Sequence, residues 1–129
     1  MKKPIRIALV GLTETGQTFA RHLLEKEQKH NLPIKIVAVA HAHPDSAAAL
    51  GFSQSGVPVF ADARELSTLG ENLDIIIDLS GDQAMRQQLR LALLQRQNMH
   101  TVIVSETIAR LLWYSFGETR EPSLNAVCS

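Results

Sequence analysis

The strongest constraint on this chain is a rhythm: short aliphatic runs, each followed by a segment with helical spacing. The first run, IRIALV at 5–10, is closed by Gly11. IKIVAVA at 34–40, VPVF at 57–60, LDIIIDL at 73–79 and TVIV at 101–104 follow. Near-continuous apolar runs of this length suit strands buried on both faces of a parallel sheet. Pro58 cannot donate a ladder hydrogen bond, so the third run is expected at a sheet edge. Between the runs, residues 15–29 set Phe19, Ala20, Leu23 and Leu24 on one helical face and Arg21, Glu25, Lys26 and Gln28 away from it, with Asn31 and Pro33 as the stop. A short alanine-rich helix is expected at 46–50, with Gly51 and Gly56 punctuating the loop after it, and one or two helical turns at 64–69. Residues 82–97 align Met85, Leu89, Ala92 and Leu93 behind a Ser80-Gly81-Asp82-Gln83 capping box, and a last helix is expected at 105–114.

Strands alternating with helices build βαβ units and a parallel sheet. Right-handed crossovers, with the first strand flanked by the others, give the order 3-2-1-4-5. The expected fold is α/β: a doubly wound parallel sheet of five or six strands in a single three-layer domain. That domain spans residues 1–117, and the polar residues 118–129 read as a fraying tail. Composition narrows the partners. The 129 residues carry 13 Lys plus Arg and 13 Asp plus Glu, so the basic footprint of a nucleic-acid binder is missing. The apolar start is too short for a signal peptide or a membrane span. Cys128 is the single cysteine, which fits a reducing compartment, and a cytoplasmic location is expected.

In a doubly wound sheet, ligands sit outside the carboxyl ends of the strands, where the strand order reverses. That puts the candidate site on the loops at 11–16, 40–45, 80–82 and 105–107. The first loop has the form strand, G-x-x-x-x-G, helix, with Gly11 and Gly16 in the first and third glycine positions of a dinucleotide fingerprint. Thr13 takes the middle position, where a glycine would let backbone approach a pyrophosphate. Two readings stand: a phosphate or nucleotide site at the helix start, with Thr13 and Thr15 as hydroxyl donors, or glycines that serve only strand–helix packing.

The second strand ends in Ala40-His41-Ala42-His43, without the acid that would hold ribose hydroxyls, and Asp45 reads as a helix cap. No arginine nearby in sequence would take a 2′-phosphate. His41 and His43 lack a third metal ligand and read as loop histidines. Ser80 and Ser105 read as helix N-caps, because no positioned base or nucleophile elbow accompanies them. Asp74 is expected in solvent at a strand entry, and Asp78, near the carboxyl end of its strand, reads either as a ligand contact or, more simply, as a hydrogen bond to a neighbouring loop. Leu111, Leu112, Trp113, Tyr114 and Phe116 form the densest apolar cluster. It is either a docking face for a homodimer or a following domain, or the packing of the last helix on the sheet.

With VAVAHAHPDSAAALG, GVPVFADAREL, LDIIIDLSG and HTVIVSETIA beside Gly11 and Gly16, the chain resembles the N-terminal nucleotide-binding domain of the glucose-fructose oxidoreductase and inositol dehydrogenase family. It is similar also to the corresponding domain of homoserine dehydrogenases. The likeness runs from about Ile5 to Leu112. It implies a Rossmann-like fold and NAD or NADP as cofactor, with Gly11, Leu12, Thr13, Glu14, Thr15, Gly16, His41, Ser80, Gly81 and Ser105 as the cofactor-binding set. Where the family carries a glutamate-lysine-proline motif after the fifth strand, this chain has Ser105-Glu106-Thr107, so Glu106 stands in place of the assisting lysine. A carboxylate cannot donate the proton that such an ammonium would supply. The family's substrate domain is not found before Ser129. The expectation is a non-catalytic module that binds or senses a nucleotide or small anionic metabolite, as in the front part of some signalling proteins. The alternative is the NAD(P)-binding domain of an oxidoreductase whose substrate domain lies elsewhere.

Overall fold

A computed structural model describes residues 4–11, 14–29, 32–43 and 45–115. The elements alternate: β1 (Ile5–Val10), α1 (Glu14–Lys29), β2 (Ile34–Ala40), α2 (Ala47–Gln54), β3 (Val59–Phe60), a 3-10 segment (Ala63–Asn72), β4 (Ile75–Asp78), α3 (Gln83–Gln95), β5 (Val102–Val104) and α4 (Glu106–Ser115). The five strands are all parallel and lie in the order β3-β2-β1-β4-β5. The doubly wound, Rossmann-like sheet expected from the sequence is the one observed.

Period-two alternation sends Ile7 and Leu9 of β1 to one face and Ala8 and Val10 to the other. On the first face α1, α2 and α4 pack through Phe19, Leu23, Phe52, Ala109 and Trp113. On the second, Ala8, Ala38 and Ala40 present short side chains to Leu66, Leu73, Leu89 and Leu93 of the 3-10 segment, its exit and α3. Helix α4 thus returns to the α1 side, where the Trp113 and His22 rings lie 4.8 Å apart. Among the described residues the sheet has five strands. Among the described residues no helix is long and apolar enough to cross a membrane.

Several local expectations need correction. Helix α2 runs through Gly51 to Gln54 instead of stopping at residue 50, since burial of Ala49 and Phe52 outweighs glycine's cost of about 1 kcal/mol. Its cap is Ser46, whose hydroxyl oxygen accepts from the Ala49 N–H, and not Asp45. Asp82 rather than Ser80 caps α3 by accepting from the Met85 N–H. The short turn expected at 64–69 is a longer 3-10 segment, kinked at Gly70, where φ is 58°. The apolar cluster near residue 113 divides. Trp113 is buried and Leu112 packs on the core, whereas Leu111 and Tyr114 are exposed. Phe116 and the tail at 118–129 lie outside the described residues.

Asp74 is not a free residue at a strand entry. At the amino ends of the central strands it accepts from the Arg6 backbone N–H at 2.8 Å and from the Arg6 guanidinium at 3.0 and 3.1 Å, and it contacts His100 Nε2 at 2.6 Å. Hydrogen bonds from the Arg6 side chain, then from the Arg6 backbone, then from His100, hold its carboxyl well below the usual carboxylate range. A carboxyl depressed on folding contributes stability that is whole above the unfolded value of 3.8 and is lost as pH falls below it. Acid titration of unfolding should therefore show stability dropping below about pH 4, with Asp74→Asn flattening part of that drop. An acid limb identical in wild type and variant would show that this cluster does not link protons to folding.

Candidate functional site

The site is built where β1 and β4 end side by side. After Val10 the chain turns at Gly11 with φ at 78°, and the Gly11 N–H donates to the Ala40 carbonyl at 3.0 Å. A Cβ at Gly11 would stand 2.6 Å from the Ser80 Cβ and 2.8 Å from its Cα. Only glycine meets both demands, the positive φ and the backbone contact. The opposing loop is held from beneath. Asp78, wholly buried at the end of β4, accepts from the Ser80 N–H at 2.9 Å, from the Ser80 hydroxyl, and from Arg86 Nε at 2.7 Å. Arg86 is itself mostly covered. Ser80 Oγ in turn accepts from the Asp82 N–H at 3.1 Å. The Ser80 side chain is thus drawn back to Asp78, which is why it does not cap the helix. Asp78 makes the loop hydrogen bond expected of it, and adds an ion pair that the sequence reading lacked.

To one side of this contact, at the ends of β1, β2 and β3, lies a groove of about 330 Å³. Its walls include Gly11, Ala40, His41, Ala42, Asp62 and Met85. The His41 N–H donates to the Phe60 carbonyl at 2.9 Å, which ties the exit of β2 to the exit of β3. His41 Nδ1 accepts from the His43 N–H at 2.9 Å, so the ring proton belongs on Nε2. Among the described residues no group of three His, Cys, Asp or Glu side chains is placed to hold a metal. Asp62 accepts from the Arg64 backbone N–H at 2.9 Å, and Arg64 Nη2 reaches its carboxylate at 2.7 Å. Hydrogen bonds from the Arg64 side chain, then from its backbone, lower the Asp62 carboxyl, and the carboxylate raises Arg64. Both are therefore ionised at neutral pH.

On the other side, at the ends of β4 and β5, Gly81 has φ at 72° and a Cβ there would stand 3.5 Å from Glu106 Oε2. Glu106 is exposed in the first turn of α4. Ser105 precedes that helix, and its carbonyl accepts from the Ile108 and Ala109 N–H groups.

Of the residues expected to bind a cofactor, Gly11 and His41 share the groove, while Ser80 and Gly81 stand across the Gly11 contact from it. Gly16 is buried in the first turn of α1. Leu12 and Thr13, and the side chains of Glu14 and Thr15, lie outside the described residues. Sequence reading missed Asp62 and Arg64; the signal available was an acid two residues beyond the third strand, followed by an arginine. A larger hollow of about 390 Å³ lies between α1 and α2, lined by Gln17, Arg21, Leu24, Ala47, Gly51 and Phe52. It sits in the helical layer and not at the strand ends, so the smaller groove is the better candidate.

No protein-family model matches the sequence, and no curated protein matches it. Solved structures do. A crystal structure of S. aureus homoserine dehydrogenase at pH 7.0 matches with a TM-score of 0.61 and 20% identity over 91% of this chain and 32% of that one. The same enzyme at pH 6.5 matches with a TM-score of 0.59 and 21% identity over 89% of this chain and 31% of that one. The chain spans about a third of the length of these dehydrogenase chains. At this identity the likeness establishes a shared Rossmann-like fold. The resemblance to the glucose-fructose oxidoreductase and inositol dehydrogenase family rests on the sequence motifs alone.

Two substitutions check the architecture of the site. Gly11→Ala should destabilise by about 2–5 kcal/mol in denaturant unfolding, combining left-handed strain with overpacking against Ser80. Asp78→Ala leaves the Arg86 guanidinium without its buried partner and should cost about 3–5 kcal/mol. Changes within about 0.5 kcal/mol, the range of ordinary surface substitutions, would contradict the close packing described.

Proposed function

We propose that this chain is a nucleotide-binding module that takes an adenine nucleotide, or the adenosine half of NAD(P), in the groove beside Gly11. The observation that carries the reading is the position of that groove. It opens at the carboxyl ends of β1, β2 and β3, next to the point where the strand order reverses. Its volume of about 330 Å³ falls in the range of small-molecule pockets and leaves room for a nucleoside. Small residues, Gly11, Ala40, Ala42, Ala61 and Ala63, keep its walls low, and His41, Asp62 and Met85 supply polar and apolar edges. These features fit the adenosine end of NAD(P): Gly11 and Ala40 give close backbone approach, Met85 an apolar contact for a base, and His41 and Asp62 hydrogen-bonding edges.

When bound, the nicotinamide of NAD(P) supplies hydride transfer. This chain's own contribution on that side is different from what the family resemblance leads one to expect. Glu106 puts a carboxylate beside Gly81 where an ammonium would assist the reaction. That supports binding or sensing without catalysis by the chain alone. The second reading, a cofactor domain completed by a substrate domain supplied elsewhere, is favoured by the fold shared with a third of homoserine dehydrogenase.

Isothermal titration with AMP, ADP, NAD and NADP tests the proposal. Binding of at least one of them should be lost in Ala61→Trp, which fills the groove from an exposed position. Silence across the panel with folded protein, or binding indifferent to Ala61→Trp, would sink it.

A further inference from the structure

We infer that Asp62 selects the ribose of the bound nucleotide, accepting its 2′- and 3′-hydroxyls and disfavouring a 2′-phosphate. The inference rests on the nucleotide reading above and deepens it. The position after β2 that would ordinarily carry this acid holds His41 in Ala40-His41-Ala42. Parallel pairing of β2 with β3, extended by the hydrogen bond from the His41 N–H to the Phe60 carbonyl, brings the next loop alongside. Asp62, two residues beyond β3, thereby enters the same groove as His41 and Gly11. A carboxylate has thus been supplied to the groove from the neighbouring strand.

The state of that carboxylate matters. Arg64 holds Asp62 ionised and in one orientation through its backbone N–H and its guanidinium. The Asp62 side chain is still 41% exposed, so oxygen lone pairs remain open to a ligand's hydroxyls. A ribose offers two donors to such an acceptor. A 2′-phosphate offers only acceptors and negative charge, and Arg64, the cation beside this carboxylate, already has its charge matched by Asp62. Removing the Asp62 charge would release Arg64 toward a phosphate.

Titration with AMP and with adenosine 2′,5′-bisphosphate separates these roles. Wild type should bind AMP about tenfold or more tightly than the bisphosphate, the worth of one charge-assisted hydrogen bond. Asp62→Asn keeps a good helix cap, so the fold should survive. It should weaken AMP about tenfold while the bisphosphate holds or gains, so that the preference collapses. Arg64→Gln leaves the carboxylate in place and should retain the preference for AMP. An unchanged ratio in Asp62→Asn, or a wild type that favours the bisphosphate, would overturn the assignment of Asp62 and leave the nucleotide site standing. If folded wild type binds neither, the nucleotide reading falls and this inference with it.

Discussion

The contact between Gly11 and Ser80 is the constraint on which the site depends. Two parallel strands end at the same level, and their exits touch backbone to side chain at a distance that admits no Cβ on the first. The touch is made firm by Asp78, which is buried beneath it and ties Ser80 to Arg86 of the following helix. Breaking a buried pair of this kind costs far more than an exposed one contributes. The charged groups here therefore fix one loop geometry more than they add net stability. At the opposite ends of the same strands, Arg6, Asp74 and His100 tie β1, the entry to β4 and the loop before β5.

That contact divides the carboxyl end of the sheet into two unlike halves. On the β2 and β3 side, alanines and Gly11 leave a groove, and its rim carries an ionised Asp62–Arg64 pair. On the β4 and β5 side, Ser80 is spoken for by Asp78, and Glu106 brings negative charge next to Gly81. The two halves thus differ in shape and in charge: an open groove on one side, and a carboxylate against the Gly81 turn on the other. The fold shared with homoserine dehydrogenases says how such an end is built, and the residues on it decide what it does.

Much of the fold was legible because its signal is local and strong. The runs at 5–10 and 34–40 became strands with those same limits, since burial on both faces leaves few alternatives for IRIALV and IKIVAVA. The outer strands came out shorter. β3 keeps only Val59 and Phe60, because Pro58 lacks an N–H for the ladder, although its carbonyl still accepts from the Val39 N–H. Caps were misread where two acceptors compete. Ser80 satisfies the capping pattern, yet its hydroxyl donates to Asp78 and its oxygen accepts from the Asp82 N–H, while the Asp82 carboxylate takes the Met85 N–H of the helix. The groove was half legible. Gly11 and His41 follow from strand ends, which sequence marks. The order 3-2-1-4-5 already sets β3 beside β2, but which residue of the β3 exit faces the groove depends on the register of that pairing, and it is this that brings in Asp62.

The proposed nucleotide site stands or falls with the groove beside Gly11. Mapping backbone amide shifts of isotope-labelled protein during titration with AMP tests it most directly. The amides of Gly11, His41, Ala42 and Ala63 should move together and saturate with one affinity. Shifts confined to Gln17, Arg21 and Ala47 between α1 and α2, with the Gly11 amide unmoved, would contradict it.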